Sequence, residues 1–437
     1  MAKTGLGLKR RKMEHKNVII TGTKGKTTVA YLLDQILLRL HKNTIRVDTT
    51  GHFVNGERKS TLDESKEIWS LVPTVCPGRF LWELKNFTKE QRNNTVALLE
   101  SSLGCSNPCG TGLRDHHVGV WTNVMADHLG STDRLKTRED IADAKDFVFK
   151  RIKDDGYAVF NACDELICKK INYINKNSTL VPFVVDEEKI VFDCKKHINE
   201  GGVIFIRRGA RIIKKTKENE ELFYDSSNLP WTFKGFFAPS VINLTCVIAT
   251  LYAIYDGILP DNLPKILDDI RLDHYGGRLT VLRAENGATI IADYAHEKQS
   301  LMAVGELARK LTDKGKTIGV VRLAYDRTDE LIDETGQAIG KSYDSLVVYD
   351  KIDGYWRKPK KLSSRSRFVQ EVGRISGLLS AAIKKTNENV TTILREDKAL
   401  EEAARIAGPD DTVVVIVNDD IKRSIDWIRE KFKADFV

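Results

Sequence analysis

The 437-residue sequence contains no apolar run approaching the ~20 residues that cross a bilayer as a helix. Its basic start, MAKTGLGLKRRKMEHK, is not followed by the apolar stretch of a secretory signal. Residues 1–16 therefore read as a solvated basic tail, no membrane partner is expected, and the expected compartment is the cytoplasm. Cysteine is sparse and odd in number, at 7, and scattered. Cys105/Cys109 and Cys163/Cys168 are the nearest neighbours, but neither pair is CxxC and no histidine cluster accompanies them. Reduced, buried thiols are expected rather than a zinc ribbon or a disulfide framework. A strong excess of one charge is also missing. The 69 Lys+Arg against 61 Asp+Glu leave +8, too mild to indicate a nucleic-acid partner. Low-complexity tracts and internal repeats are absent, which argues against solenoids and disordered arrays.

What is present is material for two or three cores, with 41% hydrophobic residues over this length. Residues 17–41 read as strand, glycine turn and helix: NVIIT, then GTKGK, then Val29, Leu32, Leu33, Ile36, Leu37 and Leu40 at helical spacing. Two further apolar runs, 96–99 and 118–122, lead into Glu100 and into the segment TNVMADHLG. Polar residues gathered where strands end are the mark of an open parallel sheet with a site at its carboxyl edge. Short alternating runs over about 190–235 (VIFIRR, RIIKK) predict hairpins added to that sheet. Helical spacing returns over 241–257, and LDHYGGRLT reads as an interdomain hinge. Beyond it, ATIIADY, TIGVVRL, SLVVYD, TTILRE and TVVVIV alternate with helices near 298–312, 329–341 and 366–386 and two more. The expected fold class is α/β: a P-loop ATPase domain over 17–275, a parallel sheet with added hairpins, followed by a Rossmann-like domain over 276–437.

Residues 21–28, TGTKGKTT, lie between the first strand and the first helix. Glycines there let backbone N–H groups close around phosphate oxygens, and the helix N-terminus adds its positive end. Gly22, Thr23, Lys24, Gly25, Lys26, Thr27 and Thr28 are thus expected to hold ATP, with Lys26 on the β/γ-phosphates and the Thr27 hydroxyl on Mg²⁺. Ile20 stands where the general P-loop pattern has its first glycine. Lys145 has its own pattern: Ile141, Val148 and Ile152 fall on one helical face with the lysine in its middle, so it snorkels or has a partner.

Four further segments, in order, make the sequence resemble the Mur ligase family: Glu100-Ser101-Ser102, TNVMADHL (122–129), Gly277-Arg278, and Asp293-Tyr294-Ala295-His296. The shorter loop form G-x-x-G-K-T belongs to the same resemblance. Within the family, GLRDHHVGVWTNVMADHLG, DGYAVFNACDEL and YDRTDE resemble the ligase half of cyanophycin synthetases. Only about 20 residues precede the loop, so the resemblance implies a chain without the UDP-binding domain and without a nucleotide-sugar substrate.

The resemblance implies an ADP-forming ligase that activates a carboxylate as an acyl phosphate for attack by an amine, acting on amino acids or a poly-amino-acid chain. Such chemistry must screen the γ-phosphate from an incoming carboxylate, a task for two Mg²⁺ ions, with Mn²⁺ possible. Glu100 and His128 are the implied ligands of the second ion, with Lys145, if carbamylated, positioning it; Asp127 would orient His128 and Asn123 would hold the loop. Asn243 is implied at the adenine, although Ser240 stands where many relatives have asparagine. Arg278 would close over the phosphates, Asp293 would accept from ribose, and His296 would lie near the phosphate or the substrate carboxylate. The expected catalytic set is Lys26, Lys145, His128, Arg278 and His296. Glu297-Lys298 replace the family's usual Asn-Pro, which changes the acceptor side. Asp326, Arg327 and Asp329 follow a strand where an acceptor could be read, and carboxylates there favour a basic amino acid. The charged runs KPKK and SSRSR (358–367) read as solvated loops. Three alternatives stay open: a polyglutamate or folylpolyglutamate type of ligase, an ATP-binding partner subunit with degenerate catalysis, and a P-loop switch NTPase. Assembly as a homo-oligomer or with a separate subunit is equally open.

Overall fold

The structure, a computed structural model, describes residues 15–59, 74, 76–102, 111–126, 129, 134–324, 327–351 and 371–437. The tail over 1–14, Cys105, Cys109, Asp127, His128, Asp326 and the KPKK and SSRSR runs lie outside the described residues.

Among the described residues two sheets form, one of eleven strands and one of seven. The first is centred on Lys16–Thr21, flanked in parallel by Thr95–Glu100 and His116–Trp121. Val18, Ile19 and Ile20 are all buried, because both faces of a central parallel strand are covered. Parallel pairing continues outward to Asn43–Asp48 on one side. On the other it runs through Ile152–Asn161 and Thr179–Val184 to Ile204–Arg208. The hairpins expected over 190–235 are present and extend this sheet at its edge. Ile204–Arg208 joins the parallel ladder, and Arg211–Lys215 and Glu220–Asp225 extend it antiparallel.

The helix Lys26–Arg39 packs Val29, Leu32, Leu33, Ile36 and Leu37 on this sheet beside Ala238–Ile254, whose sequence is apolar on nearly every side. Such a helix is stable only when surrounded, and it is buried along most of its length. No helix among the described residues is long and apolar enough to cross a membrane.

The helix read through Lys145 is shorter than its apolar spacing suggested. It runs from Arg138 to Lys145, starting from a Thr137–Asp140 capping box, and breaks at Asp146, whose carbonyl accepts from Phe149 and Lys150 to begin a new turn. Ile152 belongs instead to the strand Ile152–Asn161, aligned with His116. Its burial comes from sheet pairing, not from a helical stripe.

The second sheet has five parallel strands: Val390–Thr392, Ser345–Val348, Thr317–Val321, Thr412–Ile416 and Thr289–Asp293. Thr280–Ala284 and Ala434–Phe436 close one side antiparallel, two strands that the apolar pattern did not foreshadow. The helix expected near 366–386 runs Arg374–Lys384, entered through Gly373 at φ +89°. Between the sheets, Gly277 adopts φ +58°, and a Cβ there would stand 2.6 Å from Ile421. That turn needs glycine for both reasons.

Candidate active site

The phosphate loop is fixed by its neighbours. Gly22, at φ +138°, lies so close to the Thr122 hydroxyl that any Cβ would collide with it. The Asn123 side-chain oxygen accepts from the backbone N–H of Thr23 (3.2 Å) and Lys24 (2.9 Å). Thr122 donates to the Lys24 carbonyl at 2.6 Å, and the Thr23 hydroxyl accepts from Met125 N–H at 2.9 Å. The strand end at 122–125 thus staples the loop. That segment is fixed in turn by Asp164, which accepts from Val124 N–H, and by Arg138, which donates to Val124 O. At the helix start, Gly25 takes φ +86° with Asn243 against it; a Cβ would strike that amide oxygen. The structure therefore places Asn243 on the loop backbone itself.

Inside the loop, Lys26 Nζ donates to Thr23 O at 3.0 Å and stands 4.0 Å from a Glu100 carboxylate oxygen. The other oxygen accepts from the Thr27 hydroxyl at 2.9 Å and from Thr49 N–H at 3.3 Å. Glu100 is only 1% exposed. Burial pushes its carboxyl above the usual range, partly opposed by Lys26 and reinforced by Asp48. A buried carboxylate meeting a helix-start hydroxyl offers hard oxygen donors, which suit Mg²⁺. No cluster of three or more His, Cys, Asp or Glu forms among the described residues, and His128 lies outside them. Lys145 is 4% exposed and approaches the Thr21 hydroxyl at 3.4 Å; Thr21 in turn donates to Ser101 O. The lysine therefore sits beneath the strand end that carries Glu100.

The second sheet contributes from its own strand end. Asp293 accepts from Leu279 N–H at 3.0 Å. Its carboxyl is pushed up by burial and drawn back by Arg278 and Lys24. Arg278 donates to Gly277 O and lies 4.9 Å from the Tyr294 ring. His296 makes the direct bridge between the sheets. Its Nδ1 lies 2.9 Å from Tyr294 O, which can only accept, so the proton is on Nδ1. Nε2 is then free to accept from Lys24 Nζ at 2.8 Å. Lys24, Lys26, Thr27, Glu100, Asn243 and His296 are thus brought to one edge. Arg327 is buried, and the half-exposed Asp329 forms an ion pair with Arg374 (2.7 and 3.0 Å).

Sequence reading missed Thr49 and the cluster behind it. Arg46 pairs with Asp34 at 3.1 Å and with Asp48, all three buried, beside Glu100's strand. The strand NTIRVD places these charges inside the core, so no apolar run marks it; its one signal is the polar DTT at its end.

Family models match at two places: the Mur ligase middle domain over residues 20–219, and the Mur ligase, glutamate ligase domain over residues 277–416. Cyanophycin synthetase of Trichormus variabilis is 27% identical over 418 residues, 94% of this chain and 42% of that protein. The chain thus spans less than half the length of that relative. UDP-N-acetylmuramoyl-L-alanyl-D-glutamate–2,6-diaminopimelate ligase of Aquifex aeolicus is 27% identical over 410 residues, 90% of this chain and 75% of that protein. Among solved structures, the bifunctional folylpolyglutamate synthase/dihydrofolate synthase of Yersinia pestis, complexed with AMPPNP and Mn ion, shares the fold. Its TM-score is 0.62 at 18% identity, covering 96% of this chain and 89% of that one. MurF ligase of Thermotoga maritima, in complex with ADP, gives 0.60 at 15% identity over 96% of this chain and 80% of that one. With two matched domains in the order its two sheets follow, the chain belongs to the Mur ligase family.

Proposed function

We propose that the chain is an ADP-forming ligase that joins a carboxylate to the amine of an amino acid or poly-amino-acid chain. The observation that carries this reading is the convergence of Lys26, Thr27 and buried Glu100 under a stapled phosphate loop, whose Lys24 is met by His296 from the second sheet. A carboxylate oxygen attacks the γ-phosphorus and ADP leaves; the amine then attacks the acyl carbon, expelling phosphate and losing a proton. Lys26 and the loop N–H groups bind the β/γ-phosphates and stabilise charge as it shifts. Thr27 and Glu100, with His128, would hold Mg²⁺, and a pair of such ions supplies the screening that lets two anions meet. Lys145, carbamylated, would position the second of them; its burial next to the Glu100 strand end supports this. Lys24 and His296 tie the two sheets together across the site. Arg278 and Asp293, at the link between the sheets, would take the phosphates and the ribose.

The substrates follow from the relatives. Cyanophycin synthetase and the diaminopimelate ligase are similar along nearly the whole chain, and the second name prints an amino acid, 2,6-diaminopimelate, as one of the parts joined. The test is incubation with Mg-ATP and pooled amino acids or short peptides, reading ADP, phosphate and product mass. ADP release that depends on the amine, with a product lighter by one water than its parts, is expected; glutamate-only dependence selects the polyglutamate type. ATP turnover indifferent to every amine contradicts the reading, as does no turnover.

A further inference from the structure

The opposite edge of the first sheet, where its parallel strands begin, holds a cavity of about 550 Å³. It is lined by Lys16, Lys42, His117 and Lys153 from four different segments, and by Tyr255 and Asp256 at the end of the helix Ala238–Ile254. Such a volume is that of a small-molecule site. Two observations point to the chemistry of its occupant.

The first is a donor facing a donor. His117 Nδ1 accepts from the backbone N–H of Asn17 at 3.0 Å, a group that can only donate. The ring is neutral, because burial and the nearby cations Lys153, His15 and Lys16 hold it down to about 4. Its proton is therefore on Nε2, which faces Lys153 Nζ at 3.1 Å. An acceptor oxygen lying beside both would take the His117 N–H, which Lys153 cannot accept, and would meet the lysine's charge. The second observation concerns a buried hydroxyl and a lysine without a carboxylate partner. Tyr255 Oη is buried without a hydrogen-bond partner. Lys42 meets the neutral Asn94 side-chain oxygen at 2.7 Å and the Tyr255 ring at 5.6 Å, while burial and Lys16 lower its pKa. The carboxylates present answer other lysines: Asp256 stands 2.8 Å from Lys16, and Asp115 3.6 Å from Lys153. Asp155 also lines the cavity.

We propose that this cavity binds a small oxyanion-bearing molecule, carboxylate or phosphate, whose oxygens bridge His117 Nε2–H and Lys153 and reach Tyr255 and Lys42. The site lies at the sheet edge opposite the phosphate loop and does not depend on the ligase reading.

Isothermal titration of the full-length, metal-free protein tests it, with citrate and pyrophosphate as the two probes. The Lys26→Ala variant removes the phosphate-loop lysine and serves as the background. Saturable one-to-one binding in that background is expected, weakened about tenfold by Lys153→Gln and several-fold by Tyr255→Phe. Tyr255→Phe conserves volume, and thermal melts of each variant check that the fold is retained. Binding of citrate alone identifies a carboxylate ligand, pyrophosphate alone a phosphate, and both a shared oxyanion site. No saturable binding of either probe overturns the proposal, as does an affinity unchanged in both folded variants.

Discussion

Two lysine–histidine contacts lie at opposite edges of the first sheet, and they are wired in opposite senses. At the carboxyl edge, a backbone carbonyl takes the proton side of His296 and leaves a lone pair for Lys24. At the amino edge, a backbone amide takes the lone pair of His117 and turns its N–H toward Lys153. One backbone group thus decides whether the same two residue types form a donor–acceptor link or set two donors face to face. The first contact joins two sheets at the edge that carries Lys26, Thr27 and Glu100. The second lines a cavity.

Four perturbations sharpen the contrast between the edges. Behind the carboxyl edge, Arg46→Ala leaves buried Asp34 and Asp48 without their cation, and should destabilise the protein by about 3–5 kcal/mol in urea melts. A loss below about 1 kcal/mol would mean that the cluster is not a structural support. Within the loop, Lys26→Ala should lower kcat by roughly 10²–10³-fold, about 2.7–4 kcal/mol, with the thermal melt little changed. Retained turnover would remove Lys26 from the chemistry.

The amino edge should report through pH. Burial holds the His116 ring down to about 4 from 6.5, so the unfolded chain takes up the proton first. Stability from this group is complete above pH 6.5 and drains away as pH falls toward 4, on the order of 3 kcal/mol. His116→Gln should flatten that part of the pH–stability curve, with the share due to His117 remaining; a slope identical to wild type would contradict the assignment. The smallest effect is expected at the donor–acceptor link. His296→Ala should cost about tenfold in kcat/KM, or about 1.4 kcal/mol, through looser approach of the sheets. Lys24→Gln should do the same, and the double variant should add little further because both remove one contact.

The first strand, its loop and its helix were legible because three independent signals coincide there: an apolar run, the glycines of GTKGK, and helical spacing. Glu100 was legible as the polar residue ending a buried strand, and the alternation in the second half announced a parallel sheet. Other features left no such trace. The strand Asn43–Asp48 hides its core position behind charges that neutralise one another, so Thr49 went unread. The break at Asp146 was masked because Ile152 keeps an apolar position by sheet pairing. Ala434–Phe436 is a short, charged edge strand, and Thr280–Ala284, next to it, interrupts its apolar residues with Arg283. Lys24 and His296 lie 272 residues apart, and nothing local couples them.

A crystal structure of the protein with AMPPNP and Mg²⁺ tests the account at its centre. The terminal phosphate should lie within hydrogen-bonding distance of Lys26 Nζ, with Mg²⁺ coordinated through Thr27 and Glu100. A nucleotide whose terminal phosphate sits away from Glu100, or a cation held without either residue, would contradict it.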